Sequence, residues 1–284
     1  MGHFAQVNGI RLHYLDHKGG DPVLVLMPGL TSNAQSFDGL VGAGLSPALR
    51  VLALDLRGRG LSDKPVSGYS LAAHAADVIG LLDVLGLERV VLGGHSFGGL
   101  LGFYMADRFP ERVERLVVID AAGTMHPQTR SMIQPSIDRL GRALPSWESY
   151  LTLMKGMPFY RDWWNPTIES FLRADVETQF DGGVIPRSRP EAIIEVVDHV
   201  LAEDWMAHID TIEQPVLLLR GRDPFGLPGA PPLLPKAEAL ETVGRLANGH
   251  YAEVTGNHIT MLYGEGAVSI VAEIVRFLDV VDQH

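Results

Sequence analysis

Two stretches of this chain alternate short aliphatic runs with helical periodicities, and that alternation constrains the fold more than any other feature. Ile10–Tyr14, Val23–Met27, Val51–Leu54, Val90–Leu92 and Leu116–Ile119 read as strands. The later runs are almost continuously aliphatic, as parallel strands covered on both faces must be. Helical patterns lie between them. Ser70 is placed to cap a helix in which Leu71, Ala75, Val78, Leu82 and Leu85 recur every three or four residues, and Gly86 suits its end. A second helix, Phe97 to Arg108, stops before Pro110 and is apolar all round, which predicts a buried helix. The order resumes with Val216–Leu219, a helix near Lys236–Leu246, a strand near Tyr251–Val254 and a helix near Ala267–Leu278. The expected class is α/β: a mostly parallel central sheet flanked by helices.

The alternation lapses between about residues 124 and 206. That stretch holds Trp147, Trp163, Trp164 and Trp205, and its clear period is helical, at Ile193, Val196, Val197, Val200 and Leu201. It reads as a helical insertion. Further on, the loop Asp223–Pro235 carries prolines at 224, 228, 231, 232 and 235. A connection of that length without periodicity is often functional.

Composition narrows the function. Of 284 residues, 46% are hydrophobic and 20% charged, a globular balance. Lys plus Arg total 23 against 34 Asp plus Glu, a net charge of −11, which argues against a nucleic-acid or anionic-lipid partner. The absence of cysteine excludes disulfides, thiolate catalysis and Cys-ligated zinc. The opening MGHFAQVNGIRLHY has no apolar run of signal-peptide type, and no stretch reaches the ~20 apolar residues of a membrane span. The expected setting is cytoplasmic. No phosphate-binding loop, zinc-protease motif or calcium loop is present, so no metal or organic cofactor is expected.

The motif that carries chemistry is Gly94-His95-Ser96-Phe97-Gly98, directly after the strand Val90–Leu92 and directly before the buried helix. A serine on a strand–turn–helix elbow is held in a strained conformation with its hydroxyl above the sheet. The turn is so tight that the residues two before and two after it can carry no side chain. Further motifs stand around it: Met27-Pro28-Gly29-Leu30, Asp55-Leu56-Arg57-Gly58-Arg59-Gly60-Leu61-Ser62-Asp63, Arg220-Gly221-Arg222-Asp223 and Gly256-Asn257-His258.

Together these motifs resemble the α/β-hydrolase family. In order, they are similar to its His-Gly-x turn, its D-x-R-G-x-G-x-S loop, its G-x-x-D turn that supplies an acid and its G-x-H turn that supplies a base. Pro28 departs from the usual histidine. The resemblance covers roughly residues 4–124 and 206–280. It implies a core domain of 1–123 and 206–284 with a helical cap domain at 124–205.

The resemblance implies a Ser96–His258–Asp223 triad, in the family's order. A serine hydroxyl is a weak nucleophile, so a neutral imidazole must take its proton. The acid fixes the imidazole tautomer. Backbone N–H groups of Leu30 and Phe97 are the expected oxyanion donors. His250 and His95 rival His258 among 11 histidines, but one opens a predicted strand and the other lies inside the elbow. Asp120, at the end of Leu116–Ile119, rivals Asp223. The implied function is hydrolysis of a small, largely apolar ester or lactone through an acyl-enzyme. Alternatives are a carbon–carbon hydrolase of ring-cleavage dienoates, a perhydrolase, and a small-molecule receptor of the same fold.

Overall fold

The computed structural model describes residues 2–227 and 229–281. Its main sheet is built from β1 (Gly2–Val7), β2 (Ile10–His17), β3 (Val23–Met27), β4 (Arg50–Leu54), β5 (Val90–His95) and β6 (Val113–Ile119). A separate hairpin, β7 (Val176–Thr178) with β8 (Val184–Pro186), lies outside it, and β9 (Val216–Gly221) and β10 (Gly249–Val254) complete the main sheet. The main order is β1-β2-β4-β3-β5-β6-β9-β10. Strands β4, β3, β5, β6, β9 and β10 run parallel, and β2 joins β4 antiparallel. The sheet is therefore mostly parallel, as the aliphatic runs imply.

The period of two sorts side chains to opposite faces. Val25, Met27, Leu92, Val118 and Leu218 face one core, together with the buried sides of α1 (Leu71–Val84) and α2 (Phe97–Arg108). Leu24, Leu26, Val91, Val117 and Leu217 face the other core. Ser70 Oγ accepts the Ala73 N–H at 3.2 Å and fixes the start of α1. The last helix of the chain, Gly264–Val281, closes the second face with Ile270, Ile274 and Phe277.

Residues 124–205 form α3 (Thr129–Asp138), α4 (Trp147–Lys155), α5 (Pro166–Asp175) and α6 (Pro190–Ala202), with the β7–β8 hairpin before α6. The insertion is thus not purely helical, a correction to the sequence reading. Strands of three residues leave too short a period to recognise. Its apolar residues extend both cores: Tyr150, Met154, Ile168 and Leu172 join one, and Ala192, Val196 and Val200 the other. After α7 (Trp205–Ile209) and β9 the chain makes α8 (Lys236–Arg245), β10 and α9, the closing helix Gly264–Val281.

The topology positions the site. From β3 the chain moves outward to β4, then returns to β5 on the other side of β3. Such a reversal opens a crevice at the carboxyl ends of the two neighbouring strands. Met27 and Gly94 are register partners there. The turn through Pro28–Leu30 and the Ser96 elbow consequently emerge side by side.

Candidate active site

Ser96 sits between β5 and α2 with φ 53° and ψ −117°. A non-glycine residue in this region stores about 1–3 kcal/mol of strain and persists only where its surroundings enforce it. Here the Ser96 N–H donates to Ile119 O at 2.9 Å, and Ser96 O accepts from the N–H groups of Gly99 and Leu100 at 2.9 and 3.1 Å. Gly94 and Gly98 make the turn possible. A Cβ on Gly94 would collide with the Gly98 carbonyl, and one on Gly98 with the Met27 carbonyl.

His258 follows β10 on a loop fastened from several sides. Asn257 Oδ1 accepts the N–H groups of Ile259 and Thr260, while Asn257 Nδ2 donates to Phe159 O at 2.8 Å. His95 Nε2 donates to the His258 carbonyl at 2.6 Å, which requires the Nε2–H tautomer of His95. Burial, and then the neighbouring His258, hold the His95 imidazole well below the ordinary histidine range, so it remains neutral. The rings of His95 and His258 lie 4.6 Å apart, and Phe225 packs edge-on against His258.

The partner of the His258 imidazole is Asp120, not Asp223. His258 Nδ1 lies 2.7 Å from Asp120 Oδ2, and the Asp120 side chain is 1% exposed. Asp120 Oδ1 accepts the Gly221 N–H at 2.8 Å, and the Asp120 N–H donates to Leu219 O at 2.7 Å. Both carboxylate oxygens are thus engaged, one by the imidazole and one by the adjacent strand end. Asp120 itself has φ 53°.

Asp223 performs another task. Its Oδ2 accepts the Gly256 N–H at 2.9 Å, and its own N–H donates to Gly256 O at 3.1 Å. This reciprocal pair staples the loop after β9 to the loop carrying His258, two residues before the imidazole. The Asp223 side chain is 34% exposed, with Arg222 Nε 3.9 Å away. The sequence carried a warning: Gly221 stands two residues before Asp223, one short of the G-x-x-D spacing. Gly221 instead gives its N–H to Asp120. Pro228, one of the loop's five prolines, lies outside the described residues.

Ser96 borders three adjoining hollows. Asp120 and His258 share the first with it, Leu30, Ser32 and His258 the second, and Leu30 and Phe97 the third. Four of the five residues singled out from the sequence therefore meet around one space, and Asp120 completes it. The third hollow is apolar, walled by Leu100, Met125, Ile133, Val197, Val200 and Leu233. The second continues past Ser32, His95 and Ser136 to Ser36, Tyr160 and Arg139. Arg139 is 7% exposed, and its Nη1 is held by Tyr150 Oη at 2.8 Å and by Asp175. The sequence reading missed this arm because its members come from distant segments. Among the described residues no cluster of three or more His, Asp or Glu side chains could hold a metal, and no helix is long and apolar enough to cross a membrane.

This chain belongs to the α/β-hydrolase fold family: the family model matches residues 22–252. It is 42% identical over 120 residues to an uncharacterized protein of Mycobacterium tuberculosis, a stretch covering 42% of this chain and only 35% of that protein. It is 29% identical over 208 residues to the 2-(acetamidomethylene)succinate hydrolase of Mesorhizobium japonicum, covering 72% of each. A crystal structure of an E-2-(acetamidomethylene)succinate hydrolase superposes with a TM-score of 0.85 at 23% identity, covering 98% of this chain and 99% of that one.

Proposed function

We propose that this protein is a serine hydrolase in which Ser96 is the nucleophile, His258 the general base and Asp120 the residue that orients and charges the base. The observation that carries this reading is the strained Ser96 elbow sharing a cavity with an imidazole whose Nδ1 is engaged by a buried carboxylate. Because Nδ1 is the donor to Asp120, the lone pair resides on Nε2 and is available to take the Ser96 proton. Attack on a carbonyl carbon forms the Oγ–C bond and moves the carbonyl π electrons onto oxygen. The N–H groups of Leu30 and Phe97 receive that oxyanion. Collapse expels the leaving group, which takes the proton from His258. Water, deprotonated by the same imidazole, then releases the acid and regenerates Ser96. Residues 124–205 act as a cap, since α3 and α6 contribute Ile133, Val197 and Val200 to the cavity wall.

The substrate in this reading is a small ester or lactone with an apolar portion in the hollow lined by Leu100, Val197 and Leu233. A second reading is favoured by the polar arm leading to Arg139: hydrolysis of an acid-bearing amide or dienoate, with oxygen atoms directed towards Ser32, Ser136 and Arg139. The similarity to an enzyme named for a substituted succinate supports it. Turnover of aryl esters, lactones, N-acyl enamides and dienoates by wild type and Ser96→Ala tests the proposal. At least one class should be hydrolysed by wild type and lost in the variant. Equal turnover by both would overturn it, and turnover of the acidic substrates alone would select the second reading.

A further inference from the structure

Arg59, the middle residue of the Gly58-Arg59-Gly60 turn, is wholly buried, and no carboxylate pairs with it among the described residues. Its Nε donates to Leu30 O at 2.9 Å. Its Nη1 donates to Arg57 O at 2.6 Å and to His74 Nε2 at 2.9 Å. His74 is a neutral acceptor, because its Nδ1 faces Ser70 O at 2.8 Å, an oxygen that can only accept. Arg59 Nη2 is buried and has no hydrogen-bond partner among the described residues. The acids of the same layer are committed elsewhere: Asp55 to His13 and two backbone N–H groups, and Asp77 to Arg57. A buried cation among neutral groups is destabilising unless something compensates it.

The same guanidinium lies over the Phe97 ring, 5.2 Å from its centroid. It thus touches both residues whose N–H groups are the proposed oxyanion donors, Leu30 through its carbonyl and Phe97 through its ring. We infer that Arg59 is a positioning and charge-supplying residue of the oxyanion hole: it holds the Leu30 turn and gives the developing oxyanion a cation that no carboxylate neutralises. This rests on the proposed acyl-enzyme reading. Among the described residues no carboxylate is paired with this guanidinium in the resting state, and attack by Ser96 creates a negative charge on the substrate oxygen. The buried cation is therefore compensated in the transition state and not before it, which is the differential that accelerates a reaction. Burial pulls the guanidinium down to about 9, so it remains charged at neutral pH.

Three measurements test this, on p-nitrophenyl butyrate hydrolysis and on inhibition by phenylboronic acid, which adds to a serine as a tetrahedral anion. Arg59→Met should lower kcat and weaken boronate inhibition, each by about tenfold to a hundredfold, with KM little changed. Arg59→Lys should recover much of both. His74→Glu, which offers the guanidinium a counter-ion, should slow kcat relative to His74→Gln while melting no lower than it. A purely structural role predicts that Glu at position 74 does no worse than Gln. The inference is overturned if folded Arg59→Met keeps kcat and boronate affinity within twofold of wild type. Should Arg59→Met fail to fold, equal kcat in the two position-74 variants overturns it. Wild type that boronate does not inhibit at all would refute the acyl-enzyme reading itself, a different outcome from inhibition that is indifferent to Arg59.

Discussion

Replacing Asp120 with Asn changes one atom at the centre of the hydrogen-bond chain. The amide oxygen can still accept the Gly221 N–H that Asp120 Oδ1 accepts at 2.8 Å. The amide nitrogen then faces His258 Nδ1, where Asp120 Oδ2 lies at 2.7 Å. Two donors cannot share that contact, so the imidazole must carry its proton on Nε2, the nitrogen proposed to serve Ser96. A base in that tautomer cannot accept the serine proton. The same exchange in a serine-protease triad lowers kcat ~10⁴-fold, which at ~1.36 kcal/mol per decade is about 5.4 kcal/mol of lost transition-state stabilisation. Asp223→Asn is the matched control. Its amide oxygen can still accept the Gly256 N–H, so it loses the charge on one part-exposed hydrogen bond, about 1 kcal/mol and chiefly of loop stability. The assay is aryl-ester turnover at pH 8 with a thermal melt of each variant. Asp120→Asn should be nearly inactive yet melt cooperatively, while Asp223→Asn stays within about tenfold of wild type. A crippled Asp223→Asn beside an active Asp120→Asn would refute the reasoning.

Other outcomes follow from the same geometry. Gly98→Ala drives a methyl into the Met27 backbone and should cost about 1–3 kcal/mol of stability together with most activity, read by melt and turnover; wild-type values would refute the elbow account. Asp38, half-buried, has its carboxyl raised to about 6 by burial. The native state therefore holds a proton that the unfolded chain has released, so this residue's contribution to stability falls as pH rises from about 4 to about 6 and stays low above that. Asp38→Asn should raise the melting temperature at pH 8 by the equivalent of on the order of 1–3 kcal/mol, with the gain vanishing near pH 4. Activity should survive prolonged chelation, since each proposed step is assigned to side chains and backbone N–H groups; loss on chelation with recovery on adding a divalent ion would contradict it.

Much of the core is legible because burial on both faces leaves an aliphatic signature. Val23–Met27 and Phe97–Arg108 have the limits expected from sequence, and the expected β5 differs only in continuing to His95. Strand β1 leaves no aliphatic run to read, because Gly2–Val7 is an edge strand that buries only Ala5 and Val7 and turns Gly2, Phe4 and Gln6 outward. The acid is the least legible residue of the site. Asp120 and Asp223 follow neighbouring strands, β6 and β9, at the same sheet edge. Which of them meets His258 depends on the path of the loop after β10, and no local period encodes that. Asp120 follows directly upon Ile119, beside the elbow strand, whereas Asp223 lies two residues beyond β9, where it reaches back to Gly256. Arg59 is equally hidden: an arginine in a glycine-rich turn reads as solvent-exposed until Leu30, Phe97 and His74 close around it.

In the proposed reaction Ser96 becomes covalently acylated, and one measurement addresses this without knowledge of the natural substrate. The protein is incubated with a fluorophosphonate, digested, and the modified peptide sequenced by mass spectrometry. A single adduct on Ser96 is expected, formed quickly in wild type and at least ~10³-fold more slowly in Asp120→Asn. An adduct on another serine, or an unmodified Ser96 in protein that hydrolyses esters, would contradict it.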